Sequence, residues 1–121
     1  MGKKISELLK KGDFKVNGSL WIEGDGQRFF GPGPVELLEY IDQTGSINQA
    51  AKKMGMSYKK AWELINNLNA MAAQPLVTTS TGGEKGGGSI LSKEAKQMIA
   101  YHRQLRERFR IFLERETARL K

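Results

Sequence analysis

Between Ser46 and Lys85 the chain concentrates side chains that donate hydrogen bonds or carry positive charge. They are Ser46 and Gln49, Lys52 and Lys53, the run Ser57-Tyr58-Lys59-Lys60, and Thr81 and Lys85 in a glycine-rich stretch. Such groups break no bonds by themselves; they bind. Ammonium groups pair with phosphate, and hydroxyls and amides hydrogen-bond to phosphate oxygens or base edges. A helix opening on Ser57 to Lys60 adds its unpaired N–H groups and the positive end of its dipole, which favour an anion at the same place. The competing reading of Lys59 and Lys60 is a solvated face. Material for catalysis is lacking: the chain has one His, no Cys and no clustered carboxylates, so no catalytic or metal constellation assembles. Gly24-Asp25-Gly26 lacks the third glycine and the following helix of a dinucleotide fingerprint. Lys85 precedes Gly86-Gly87-Gly88, so there is no P-loop either. No cofactor and no small-molecule effector site is expected.

Charge supports a polyanionic partner. The net of +7 is uneven. Residues 1–45 carry 6 basic and 7 acidic side chains, residues 46–91 carry 5 and 2, and residues 92–121 carry 9 and 4. The excess falls on the middle and the end of the chain, where counterion release on binding nucleic acid would exploit it. No apolar run approaches the roughly 18 residues of a membrane span, and the start of the chain has no signal-peptide core. Gly2 and Ser6 match a myristoylation start only superficially. The expectation is a cytoplasmic protein with no membrane partner.

The elements that must position these groups are legible from spacing. Lys3 to Lys11 reads as a short amphipathic helix, and Phe14 to Phe30 as a β-hairpin turning at Asp25-Gly26. Trp21, Phe29 and Phe30 form a large apolar payload suited to an extended interface. Pro34 suits a first helical turn, the stripe Val35, Leu37, Leu38, Ile41 follows, and Gly45 ends the helix. Ser46 with Gln49 forms a capping-box pattern. The next helix turns inward Ile47, Ala50, Ala51 and Met54. Gly55 supplies a tight corner, Ser57 caps a third helix, and Ala61, Leu64, Ile65 and Leu68 form its inner stripe. Trp62 reads as packing at the core edge. Pro75 to Ser80 and Ile90-Leu91 flank the glycine tip as two strands, a wing. Ser92 caps a long last helix.

On that helix Ala95, Met98, His102, Leu105, Phe109 and Phe112 recur at spacings of three and four. This is an a/d seam of about two and a half heptads. It predicts a homodimer, with packing on the chain's own core as the competing reading.

These residues resemble a known family. Gly45-Ser46-Ile47 with Ala50-Ala51, Gly55-Met56-Ser57-Tyr58-Lys59 with Ala61-Trp62, Asn66 and Asn69, and the glycine wing are similar to the N-terminal DNA-binding domain of the molybdate-dependent transcriptional regulator (ModE) family. LysR-type regulators are more distant kin. The resemblance covers about Pro34 to Leu113. It implies a homodimeric winged helix-turn-helix on a palindromic operator, with the last helix in the dimer. In that family molybdate is held by C-terminal β-barrel domains. Here Lys121 follows the helix directly, so a stand-alone form without that sensor is expected.

The expected fold is thus mostly α with small β-hairpins. Residues 1–33 form an N-terminal helix and hairpin extension, 34–91 the winged helix-turn-helix, and 92–121 a dimerisation helix. The expected function is sequence-specific regulation of transcription on double-stranded DNA. The alternative is a winged-helix interaction module that does not read DNA.

Overall fold

The structure, a computed structural model, describes residues 2–80 and 88–121. Its elements are α1 (Ile5–Leu8), β1 (Ile22–Gly24), β2 (Gln27–Phe30), α2 (Pro32–Thr44), α3 (Ile47–Lys53), α4 (Tyr58–Met71), β3 (Val77–Ser80), β4 (Gly88–Leu91) and α5 (Lys93–Ala118). The strands form two separate antiparallel hairpins, β1–β2 and β3–β4. The described chain is mostly helical with small hairpins, as expected.

Two compact units result: Trp21–His102, and Met1–Leu20 together with Arg103–Lys121. This division differs from the sequence-based one. The β1–β2 hairpin falls with the helix-turn-helix, and the first twenty residues fall with the last half of α5.

In the Trp21–His102 unit, the core is Phe30 with Val35, Leu37, Leu38 and Ile41 of α2, Ile47, Ala50 and Ala51 of α3, and Ala61, Ile65 and Leu68 of α4. Leu76, Val77, Leu91, Ala95 and Ile99 complete it. Burying a leucine or isoleucine of this kind stabilises by roughly 1.5–3 kcal/mol. The alanines of α3 and α4 let helix backbones approach closely. Leu64 and Met54 are half-buried at the rim of this core.

The local signals act as their chemistry requires. Asp25 (φ 51°) and Gly26 (φ 77°) make the β1–β2 turn. Gly31 precedes α2 and is buried beneath Trp21, so a Cβ there would collide with the indole ring. Gly45 adopts φ 69° and donates its N–H to the Ile41 carbonyl at 2.7 Å. Gly55 (φ 66°) makes the corner between α3 and α4.

Two expectations need correction. The helix expected over Lys3–Lys11 is only Ile5–Leu8, with Ile5 and Leu8 exposed; without an apolar face to bury, so short a segment does not propagate. The hairpin does not begin at Phe14, since β1 starts at Ile22. Val16 instead donates its N–H to Thr117 Oγ1 at 2.9 Å. Phe30 is wholly buried in the chain's own core and Trp21 packs on Gly31, with the Arg28 guanidinium 5.1 Å from its ring centre. Of that apolar payload Phe30 closes the core, while Trp21 and Phe29 are half-buried.

The α5 seam is also reapportioned. Ala95, Ile99 and His102 are its buried residues, and Met98 packs partly against the same core. His102 meets Phe30 edge-to-face, ring centres 5.6 Å apart. Ala95 and His102 are thus buried in the intramolecular core, with Ile99 completing the inward stripe. In the second unit Leu105 and Phe109 are half-buried and Phe112 is exposed. The Phe109 and Phe112 rings stack 6.3 Å apart.

Candidate nucleic-acid interface

The site is built at the junction of α3, α4 and the β3–β4 hairpin. Ser57 opens α4 in extended conformation and its hydroxyl accepts the Lys60 N–H at 3.0 Å. That cap fixes where the first turn begins and sets Tyr58, Lys59 and Lys60 on its outer side, all exposed, with no acidic residue in that turn. The inner stripe Ala61, Ile65 and Leu68 is buried, so the rotation of α4 about its axis is fixed by its core contacts. Tyr58 meets Trp62 edge-to-face at 6.1 Å, which steadies the exposed phenol. Trp62 is half-buried against the core, as its spacing indicates.

On α3, Ser46 accepts the Gln49 N–H at 3.1 Å. The reciprocal half of the capping box is supplied differently. Ser46 N–H donates to Thr44 Oγ1 at 3.2 Å, and Gln49 stays exposed. Lys52 and Lys53 occupy the last turn of α3 and are exposed. Lys53 Nζ stands 5.7 Å from the centre of the Tyr40 ring. This cation–π contact gives it a partner on α2 that its sequence position does not disclose.

The wing is tied to this platform by backbone. β3 and β4 pair in register Val77 with Leu91 and Thr79 with Ser89. Ser89 N–H donates to the Gly45 carbonyl at 2.9 Å. Asn69, near the end of α4, clamps the other end. Its Oδ1 accepts from Leu76 and Val77 N–H at 2.8 and 3.1 Å, and its Nδ2 donates to the Val77 carbonyl at 3.0 Å. Thr81 and Lys85 lie outside the described residues.

Together these elements enclose a groove of about 380 Å³. Ser46, Ile47 and Asn48 form its α3 side, Tyr58 and Trp62 its α4 side, and Thr79, Ser80, Gly88 and Ser89 its wing side. Sequence reasoning found Ser46 and Tyr58 but missed Asn48, Thr79 and Ser80. For the wing residues the signal was the polar run Thr78-Thr79-Ser80, which follows the buried Val77 and is exposed throughout. Asn48 carried none. The lining is rich in hydroxyl and amide groups, and its Tyr58 is followed in the first turn of α4 by the exposed Lys59 and Lys60. It suits the sugar-phosphate edge of a nucleic acid and lacks an acid–base pair for catalysis. Among the described residues no group of His, Cys, Asp and Glu could hold a metal ion.

The family model for the bacterial regulatory helix-turn-helix protein, lysR family, matches residues 34–94, which span the three helices, the wing and the start of α5. The chain belongs to this family. A LysR-type helix-turn-helix is a DNA-binding unit of transcriptional regulators, and α3 and α4 are its two helices here. Among curated proteins, this LysR-type chain is 41% identical over 86 residues to the molybdenum transport protein ModE of Azotobacter vinelandii (71% of this chain, 32% of that protein). It is 45% identical over 74 residues to the transcriptional regulator ModE of Yersinia pestis (60% and 28%). It is 42% identical over 71 residues to the DNA-binding transcriptional dual regulator ModE of Escherichia coli strain K12 (59% and 27%). The chain thus spans about a third of the length of these relatives or less. Two of these relatives are named as transcriptional regulators, and no helix among the described residues is long and apolar enough to cross a membrane.

Proposed function

We propose that the chain is a cytoplasmic, sequence-specific transcriptional regulator that binds a palindromic operator as a homodimer. The observation that carries this is the first turn of α4, where Tyr58 lines the hydroxyl-rich groove and Lys59 and Lys60 next to it in the chain stand exposed. In this reading α4 enters the major groove, with Ser57, Tyr58, Lys59 and Lys60 toward base edges and nearby phosphates. Ser46, Gln49, Lys52 and Lys53 hold the backbone on the α3 side, and Asn48 and Thr79 add neutral donors. Thr81 and Lys85 reach flanking phosphates.

Dimerisation uses Leu105, Phe109 and Phe112, three of the apolar residues of α5 beyond His102, with Met98 at the margin. Two-fold symmetry sets half-sites about one helical turn, or a multiple of it, apart. Relatives bear names tied to molybdenum, and the match to them covers about a third of their length or less.

Selection from a random-sequence duplex library tests the proposal. Enrichment of an inverted repeat, with sedimentation of the complex as two chains per duplex, is the expected result. Failure to retain duplex DNA even at low salt overturns it.

A further inference from the structure

The division into two units redistributes the charge. The Trp21–His102 unit holds eight basic and eight acidic side chains and is formally neutral. The Met1–Leu20 and Arg103–Lys121 unit holds twelve basic and five acidic, so the chain's whole excess of +7 resides there. Two stretches far apart in sequence are brought together to make it. Val16 N–H and carbonyl both meet Thr117 Oγ1, at 2.9 and 3.4 Å. Lys10 and Lys11 border one depression of about 220 Å³ with Leu120 and Lys121. Lys10, Lys11, Lys15, Arg106, Arg115 and Lys121 are all exposed.

We propose that this unit is a second nucleic-acid surface, which grips phosphates without reading sequence. The inference rests on the DNA-binding reading above and extends it beyond the helix-turn-helix. A formally neutral helix-turn-helix unit gains affinity for a polyanion chiefly from local charge, whereas a unit of +7 in 39 residues carries counterion-release affinity of its own. Six of the seven cations in residues 103–121 are arginines. Their planar forks match phosphate oxygens two at a time, where lysines act as point charges. Arg110 is engaged by Glu107 and Glu114 along the helix, so its fork is not counted toward the grip. No base-reading element accompanies these cations, so the grip is independent of sequence.

The test uses the full chain with Lys10, Lys11, Arg106 and Arg115 changed to Gln, and Lys59→Ala/Lys60→Ala as the control for the recognition helix. Fluorescence anisotropy on a selected operator and on a scrambled duplex, across a salt series, is the readout. For the Gln variant, affinity should fall by the same factor on both duplexes, roughly tenfold at low salt. The slope of log K against log salt should flatten by about 0.9 per lost phosphate contact. The operator-to-scrambled ratio should stay unchanged. Arg106→Lys/Arg115→Lys should retain most of the slope, and circular dichroism verifies folding.

An unchanged slope in the Gln variant, with binding still weakened by Lys59→Ala/Lys60→Ala, overturns this inference alone. No retention of either duplex by the wild-type chain overturns it together with the reading beneath it. Loss of flotation with anionic phosphatidylglycerol vesicles, or of polyglutamate binding, while duplex binding is unchanged also overturns it and assigns the charge to another polyanion.

Discussion

The N–H of Ser89 donates to the carbonyl of Gly45 at 2.9 Å, so the second strand of the wing hangs from the turn between α2 and α3. The same glycine ends α2 in the left-handed region with φ 69°. One residue thus both stops the helix that forms the back of the core and presents the acceptor that positions the wing beside α4. The Asn69 side chain fixes the other end of that wing through Leu76 and Val77.

Gly45→Ala tests this relationship. Nothing lies within 4 Å of a Cβ at this position, so the cost is conformational, about 1 kcal/mol for an L-residue held at positive φ. The midpoint of urea unfolding should fall accordingly, and the Ser89 amide should exchange with deuterium faster than in the parent.

Asn69→Ala removes three hydrogen bonds to Leu76 and Val77 and leaves half-buried backbone groups without their partner. A loss of about 1–3 kcal/mol is expected. Asn69→Asp keeps the acceptor for the two N–H groups but loses the donor to the Val77 carbonyl, so it should fall between the parent and the alanine variant in a urea titration.

Phe30→Ala opens a cavity at a fully buried site against His102. The expected cost is about 3–5 kcal/mol, a large share of the stability of a domain this size. Thermal unfolding by circular dichroism checks it. If Phe30 served an interface instead of the core, the variant would keep its melting temperature and lose only self-association.

Asn48→Ala and Thr79→Val remove groove hydroxyl or amide donors from exposed positions. Each should weaken operator binding about 2- to 10-fold, the worth of one net hydrogen bond, with no change in melting temperature. Equal affinity across both variants and the parent in anisotropy titrations would remove the groove from the interface.

Acid should loosen the last turns of α5. The Arg110 guanidinium is bonded to both oxygens of Glu107, at 2.9 and 2.6 Å, and holds its carboxyl below the usual 4.5. Because the folded value is the lower one, this contribution is present above pH 4.5 and is lost as pH falls through the lowered value. Helical signal at 222 nm should decline over that acid range, and Arg110→Ala should shift the decline to higher pH. Both groups are fully exposed, so high salt should shrink the difference.

The sequence by itself determined the local grammar. Gly45, Ser46, Gly55, Ser57 and Ser92 mark helix ends through conformations and caps that involve residues within four positions. The apolar stripes of α2 and α4 follow from helical period alone, and the order of helices and wing was sufficient to recognise the DNA-reading unit. Only the tertiary structure decided which side of α5 faces inward, because Ala95-Ile99-His102 and Ala95-Met98-His102 are equally good helical stripes until Phe30 is placed against one of them. It likewise decided that Val16 meets Thr117 across 101 positions, that Asn48 and Thr79 share a groove, and that the positive excess collects on one unit. Contacts of that range depend on how chain segments return to one another, which no local spacing encodes.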